Sequence, residues 1–155
     1  MGVPLTHEMV EAFFEAYSGR EISRIGDFLT DDVDWRFIGP VDVFPFCGER
    51  HGKDAVVTHL TKRVPSVFSM RRLQPEETII DGDKVALFSM VTAVQQGTGR
   101  IMTYHCAFFI TFRDGKVCAL TSIADTFSVI EQMIGPRCAA LMPLQSDETG
   151  NMVTL

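Results

Sequence analysis

Apolar side chains recur along this chain with two different periods, one typical of helices and the other typical of strands. Helical spacing predicts amphipathic helices over residues 6–17, 21–29, 53–64 and 127–133, and Thr6 is placed to cap the first of them. That first helix carries an aromatic stripe on its apolar face. Helices therefore gather in the first half of the chain, and one short helix follows near its end.

Alternation of apolar and polar side chains predicts strands over residues 32–38, 70–80 and 84–94. Two more apolar-rich runs flank the polar turn 113–116, whose glycine supplies the positive φ that a hairpin turn needs. Because proline cannot donate to a sheet ladder, we expect Pro75 to mark an edge or a bulge. Helices followed by a meander of strands favour an α+β fold, with the helices packed on one face of the sheet.

Alternation in the predicted hairpin assigns its side chains to two faces. In the first strand one face holds Tyr104, Cys106 and three further apolar residues, and we expect it to point inward. In the second strand Thr121, Ile123 and Asp125 share a face, which we expect to line the same interior. Asp125 is a carboxylate that ends an apolar strand, so it is the leading candidate for chemistry in this sequence.

A pocket is predicted where a strongly curved sheet wraps around the first and third helices. Its expected lining is mostly aromatic and consists of Phe13, Tyr17, Trp35, Phe37, Tyr104, Cys106 and Ile123, with Asp125 among them. Residues 39–52 form a long loop with several apolar side chains, which is typical of a segment packed over the mouth of a cavity.

Composition narrows the class of protein. The chain has 155 residues, which is about the size of one domain, and no apolar run approaches the roughly 20 residues of a membrane helix. We expect one domain over residues 1–135 and a loosely attached tail over residues 136–155. A net charge of −6 with scattered basic residues argues against a nucleic-acid partner. Four cysteines without a CxxC pair predict free thiols, no metal site and a cytoplasmic location.

Several segments together resemble a known family. They read FFEAY at 13–17, FLTDDVDW at 28–35, GERHGKDAVV at 48–57 and FRDGKV at 112–117, followed by Asp125-Thr126. This order is similar to the SnoaL-like branch of the NTF2-like, ketosteroid-isomerase-related superfamily. The resemblance implies a cone, in which a strongly curved mixed or antiparallel sheet wraps around the N-terminal helices. It also implies a functionally mixed group of isomerases, cyclases, epoxide hydrolases, dehydratases and non-catalytic modules.

The resemblance separates the chemistries of that superfamily. Ketosteroid isomerases need a carboxylate base, a tyrosine and a protonated aspartate, and these positions fall near Phe37, Phe13 and Phe108. Since all three are apolar here, the resemblance argues against authentic ketosteroid isomerase activity. Members like limonene epoxide hydrolase use an Arg-x-Asp pair and a second aspartate, of which only the last is matched, by Asp125. SnoaL-like cyclases use one buried aspartate as a base, and Asp125 is similar to that residue.

The residues themselves suggest the same chemistry. A carboxylate walled by Trp35, Ile123 and Phe37 would lose solvation, which would raise the pKa of Asp125 and make it a competent base. Tyr104, one strand over, could donate a hydrogen bond to a substrate oxygen that gains charge. We therefore expect an enzyme without a cofactor that enolises, cyclises or hydrolyses a small apolar oxygenated molecule.

Each candidate also has a plain structural explanation. Asp125 can cap the helix that starts near Phe127, and Tyr104 can be a core aromatic with a bonded hydroxyl. Trp35 can fill the core, and Cys106 can be an inert buried thiol. His51 and His59 lack partners at metal spacing and are expected in solvent, whereas His105 has the parity of the outer sheet face.

Two classes of function remain open on these grounds. The first is the enzyme that acts through Asp125. The second is a non-catalytic module that binds a lipophilic ligand or dimerises, because three catalytic positions are replaced by phenylalanine. In either case the apolar outer face of the hairpin predicts a homodimer.

Overall fold

A six-stranded curved sheet with helices on its inner face forms the body of the protein. The computed structural model describes residues 2–19 and 21–135, and the backbone of residues 144–146 and 152–154. The helices are α1 (His7–Ser18), a 3-10 helix (Ile22–Phe28), α2 (Lys53–Thr58), a π-helix that continues it (His59–Arg63), and α3 (Thr126–Ile134). The strands are β1 (Leu29–Ile38), β2 (Gly48–His51), β3 (Phe68–Asp81), β4 (Lys84–Gln95), β5 (Ile101–Arg113), β6 (Lys116–Ala124), β7 (Leu144–Ser146) and β8 (Met152–Thr154).

The sheet has the strand order β2-β1-β6-β5-β4-β3 and is mixed. Strands β1 and β6 run parallel, and every other neighbouring pair in this sheet is antiparallel. This arrangement confirms the predicted α+β class with a mixed sheet. The short strand β2 was not predicted, because its four residues lie inside a segment that reads as loop.

Helix α1 packs its aromatic stripe onto the sheet. The Thr6 side chain accepts a hydrogen bond from the Met9 amide at 3.3 Å, which confirms the predicted cap. Phe13 is fully buried, and its ring meets Phe14 edge to face at 5.1 Å and Phe112 at 6.3 Å. The helix is therefore held mainly by burial of aromatic surface against β5.

Strand β3 lies at the edge of the sheet, and its pairing with β4 shifts register between Pro75 and Glu77. Both observations confirm the expectation of an edge or a bulge at Pro75. A second shift lies between Met70 and Arg72, at the start of the same strand. Such irregularities bend a strand locally and often lie beside binding sites.

The β5–β6 hairpin contains the irregularity with the largest consequence. Phe112 of β5 pairs with Val117 of β6, and Thr111, the residue before Phe112, pairs with Ala119. Cys118 therefore has no partner in β5 and is an extra residue in β6. After this bulge the buried or half-buried inner positions of β6 are Leu120, Ser122 and Ala124.

The bulge corrects the predicted parity of β6. Alternation counted from Val117 without an extra residue places Ile123 inward, whereas Ile123 is 42% exposed and pairs with Ala107 on the outer face. The expectation that Thr121, Ile123 and Asp125 line the interior was therefore wrong, because one inserted residue moves every later side chain to the other face.

None of the helices among the described residues is long and apolar enough to cross a membrane. Strands β7 and β8 pair antiparallel with each other, in a separate two-stranded sheet. The rest of the predicted tail over residues 136–155 lies outside the described residues.

Candidate functional site

The sheet and the helices enclose a cavity. Its walls come from α1, β1, the loop 39–47, the π-helix, strands β3 to β6 and helix α3. It holds about 50 Å³ of space, which is enough for one or two water molecules at roughly 30 Å³ each. A ring the size of benzene occupies a cavity of about 150 Å³, so a ligand of that size enters only if side chains move.

The loop 39–47 covers this cavity with two aromatic side chains. Phe44 and Phe46 are almost completely buried, and their rings stack with centroids 5.4 Å apart. The Arg50 guanidinium holds the loop from below, since it donates to the carbonyls of Pro45 at 3.3 Å and Cys47 at 3.4 Å. The apolar loop predicted from the sequence thus forms the roof of the cavity.

Of the described residues that line this cavity, His59 is the one with a basic side chain. It is 2% exposed, and its Nδ1 has no hydrogen-bond partner. Burial, together with the smaller effect of the charges of Arg50 and Arg63, lowers the pKa of His59 from 6.5 to about 4. The imidazole is therefore neutral at physiological pH.

The backbone at His59 departs from regular α-helix. Residues His59–Arg63 form a π-helix, in which the Val64 amide donates to the His59 carbonyl at 3.0 Å. Widened turns of this type occur frequently at functional sites. The expectation that His59 is solvated was wrong, because it shares the buried face of the helix with Val56 and Leu60. His59 and Leu60 follow Val56 by three and four residues, which are the spacings of one helix face, and this pattern was the signal that could have found His59.

Two tyrosines and Thr126 complete the polar lining. Tyr17 from α1 and Tyr104 from β5 both line the cavity, and burial raises the pKa of each above its ordinary value. Tyr17 also packs on Trp35, with ring centroids 5.9 Å apart. Both hydroxyls keep their protons at any ordinary pH and are available as hydrogen-bond donors.

The other predicted lining residues divide into three groups. Trp35 and Phe37 line the cavity as expected from β1. Phe13 and Cys106 are buried in the adjoining core, and burial raises the pKa of the Cys106 thiol to about 12, as expected for an inert thiol. Ile123 lies on the outer face and is therefore not a lining residue.

Asp125 occupies a different position from the one expected. Its Oδ1 accepts a hydrogen bond from the Ser128 amide at 3.0 Å, so it is the N-cap of α3, and its side chain is exposed. The predicted wall of Trp35, Ile123 and Phe37 does not enclose it. Ala124 and Thr126 on either side do line the cavity, so Asp125 stands at its rim. Its catalytic role stays a prediction.

Two other histidines, His51 and His105, lie on the outside. His105 is exposed on the outer face, where its ring stacks on Phe88 with centroids 4.9 Å apart. His51 faces solvent 2.6 Å from Asp34, whose hydrogen bond raises the pKa of His51. Both positions agree with the sequence-based expectation.

The chemistry of the cavity follows from its lining. Among the described residues that line it, none carries a charge at neutral pH, since His59 and both tyrosines are neutral. A neutral imidazole beside two hydroxyl donors suits a molecule that is uncharged and oxygenated. Within the part of the chain that the structure describes, no group of three or more His, Cys, Asp or Glu side chains is arranged to hold a metal ion.

The family comparison matches most of the chain. The family model described as the SnoaL-like domain matches residues 10–120. No curated protein matches the chain in sequence.

Three solved structures share the fold over about four fifths of the chain. A proposed isomerase from Rhodopseudomonas palustris is 28% identical, covers 82% of this chain and 93% of its own, and has a TM-score of 0.72. An NTF2-like protein of unknown function from Burkholderia pseudomallei is 23% identical, with 83% and 96% covered and a TM-score of 0.73. TerC, co-crystallised with polyporic acid, is 24% identical, with 81% and 95% covered and a TM-score of 0.69. These matches confirm the NTF2-like fold that the sequence motifs predicted.

Proposed function

Because the chain belongs to the SnoaL-like domain family, whose cone encloses a cavity in this protein, we propose that it is an enzyme of proton transfer. Its substrate would be a small, uncharged, oxygenated apolar molecule bound in the aromatic cavity. The observation that carries this proposal is His59, a neutral and buried imidazole that belongs to the lining of the cavity and whose Nδ1 has no hydrogen-bond partner. An unpaired buried acceptor or donor costs stability, so its presence here favours a role with a ligand.

His59 would act as the general base. A pKa of about 4 keeps the ring unprotonated, and thus ready to accept a proton, throughout the neutral range. A base of this strength is as weak as a carboxylate in water. The enolate that forms beside it carries negative charge, and a nearby negative charge raises the pKa of a histidine. The base would therefore become stronger as the proton moves.

Tyr104 and Tyr17 would stabilise the oxygen that gains charge. Their hydroxyls stay protonated, since burial raises both pKa values. Neutral donors fixed in a water-poor site stabilise a developing oxyanion more strongly than water does. This part of the proposal keeps the role predicted for Tyr104 and adds Tyr17 to it.

Asp125 is the second candidate for the base. The observation in its favour is that the residues on either side of it, Ala124 and Thr126, line the cavity. In this form of the proposal its carboxylate would release the Ser128 amide and turn over the rim toward the substrate. Breaking that cap costs about 1 kcal/mol, so a bound substrate could compensate for it.

A non-catalytic ligand-binding module is the alternative function. TerC, which shares the fold, was co-crystallised with polyporic acid. In a binding module His59 would only orient a ligand, and its replacement would change affinity without any turnover to lose. A cytoplasmic location stays a prediction in both cases.

A thermal-shift and turnover screen distinguishes these possibilities. The panel would contain steroid ketones, terpenoid epoxides, aromatic polyketide-like ketones and polyporic acid. Each compound would be tested on wild type, His59→Gln, Asp125→Asn and the exposed control His51→Gln. A compound that binds the folded state raises the melting temperature by mass action.

We expect a compound that is converted by wild type and by His51→Gln, and at least a hundredfold more slowly by His59→Gln. Full turnover in His59→Gln together with its loss in Asp125→Asn would assign the base to Asp125 instead. Binding without conversion in all four proteins would support the binding module, and no shift with any compound would contradict both functions.

We also propose that the outer sheet face forms a homodimer. Phe88, Ala107 and Ile123 make a continuous row across β4, β5 and β6, and Phe109 lies in the next row. Phe88, Phe109 and Ile123 are each more than 40% exposed, which makes a sizeable apolar patch. We expect twice the chain mass of 17.3 kDa by light scattering at micromolar concentration, and the chain mass for Phe109→Asp. A wild-type monomer would contradict the proposal.

A further inference from the structure

A second apolar space adjoins the cavity. This outer groove holds about 190 Å³ and lies between the C-terminal end of α1, the 3-10 helix, the π-helix and the start of β3. It is the larger of the two spaces, since the cavity holds only about 50 Å³. Ser18, Gly19, Ile22, Pro65 and Ser69 line the groove alone.

The groove and the cavity share part of their lining, which forms a common wall. Five residues line both spaces, namely Tyr17, Leu60, Val64, Phe68 and Met70.

Met70 is the flexible member of this wall. Its side chain is half-buried and unbranched, and methionine changes rotamer more readily than the branched or aromatic residues beside it. The pairing of β3 with β4 shifts register between Met70 and Arg72, so the strand is irregular at this point. A change of Met70 rotamer would open the wall at small cost.

We propose that the cavity and the groove are two parts of one elongated binding site with Met70 as the movable partition. This inference rests on the proposed function and names its substrate class. The oxygenated end of the molecule would lie beside His59, and an unbranched apolar tail would extend past Met70 into the groove. The described lining of the groove contains no charged side chain, so the tail is uncharged along its length.

A homologous series of unbranched 2-alkanones, from 2-hexanone to 2-dodecanone, tests the proposal. Each ketone would be titrated into wild-type protein while the resonances of the histidine rings are followed by NMR. Burial of one methylene group strengthens binding about fourfold, so affinity should rise by that factor per carbon until the groove is full.

Ser69→Trp is the diagnostic variant, because Ser69 lines the groove and not the cavity. We expect it to abolish the dependence on chain length while short ketones still shift the His59 resonance. Ser66→Trp is the matched control on an exposed turn and should behave as wild type. The smaller side chain of Ser69→Leu fills less of the groove. It should weaken the dependence of affinity on chain length without abolishing it, and it replaces the tryptophan variant if that variant does not fold.

The outcomes separate the groove from the proposed function. If short ketones shift the His59 resonance but the affinity of wild type does not depend on chain length, the groove is not the site of the tail. The proposed function is then unaffected. If affinity rises with length but His59 never responds, the proposed function fails, and the groove binds apolar chains without being joined to the cavity, which overturns the single elongated site. Equal slopes in wild type and Ser69→Trp, or no binding at any length, would overturn the groove as a tail site.

Discussion

The two strands of the β5–β6 hairpin differ in whether their side chains alternate regularly between the two faces of the sheet, although the sequence predicts regular alternation for both. In β5 the alternation is unbroken, and Met102, Cys106, Phe108 and Ile110 are all buried as its parity requires. In β6 the extra residue Cys118 reverses the alternation after Val117. A single unpaired residue therefore decides which half of a strand faces the interior.

That reversal decides which ionisable group faces the cavity. Without the bulge, the face that ends in Asp125 would point inward and supply a carboxylate. With it, the inner face of β6 holds Leu120, Ser122 and Ala124, and Asp125 caps α3 in solvent. The basic side chain that lines the cavity comes from the π-helix instead, and it is His59.

The largest expected effect tests the parity of β6 directly. Ser122 is 1% exposed, so Ser122→Asp buries an unpaired charge and should reduce the free energy of unfolding at pH 7 by about 4 kcal/mol. Thr121→Asp places the same group on the outer face and should cost about 1 kcal/mol or less. Urea denaturation of both variants measures the difference. The reverse order of the two costs would show that β6 has no bulge.

Acid should destabilise the protein through His59. Below pH 6.5 the unfolded chain binds a proton at this residue, but the folded protein binds it only near pH 4. The free energy of unfolding should therefore fall as the pH falls from about 6.5, by about 3 kcal/mol in total, and this contribution should level off below pH 4. His59→Gln lacks the contribution, so the pH dependence of the difference between the two proteins isolates it. A constant difference from pH 7 to pH 4 would contradict the burial of a neutral imidazole.

Asp125 should matter for stability through its cap more than through its charge. Asp125→Ala removes the hydrogen bond to the Ser128 amide and should cost about 1 kcal/mol of unfolding free energy. Asp125→Asn keeps a side-chain oxygen that caps equally well, so it should be nearly neutral in the same urea titration. A cost for asparagine as large as that for alanine would mean that the carboxylate itself is required.

The smallest expected effect concerns the solvent-exposed pair of His51 and Asp34. The hydrogen bond from Asp34 raises the pKa of His51, so Asp34→Asn should lower it toward its ordinary value. Thermal stability should hardly change, because exposed ion pairs contribute little. An NMR titration of the His51 ring checks the shift, and an unchanged midpoint would mean that the pair does not form in solution.

Local signals predicted the parts of this fold that depend on local chemistry. The Thr6 cap, the aromatic stripe of α1, the irregularity at Pro75 and the inward face of β5 all follow from residues close together in the chain. The family motifs predicted the NTF2-like cone, and aromatic periodicity found Tyr17, Trp35, Phe37 and Tyr104 in the cavity.

The features that alternation missed depend on pairing between distant residues. The bulge at Cys118 arises where β6 pairs with both β5 and the parallel strand β1, far away in sequence. Likewise His59 is polar and lies on a helix, so by composition it belongs in solvent. Its burial follows from the sheet and the aromatic roof that close over it, which a local pattern does not show.

One measurement tests the central claim most directly, that a neutral His59 faces the cavity as its acid–base group. Long-range nitrogen–proton NMR spectra of the histidine rings would be recorded from pH 8 to pH 3, with His59 assigned by its loss in His59→Gln. We predict that the His59 ring stays neutral until about pH 4, while His51 titrates above its ordinary value. A His59 midpoint near 6.5 would show a solvated ring and would contradict the account.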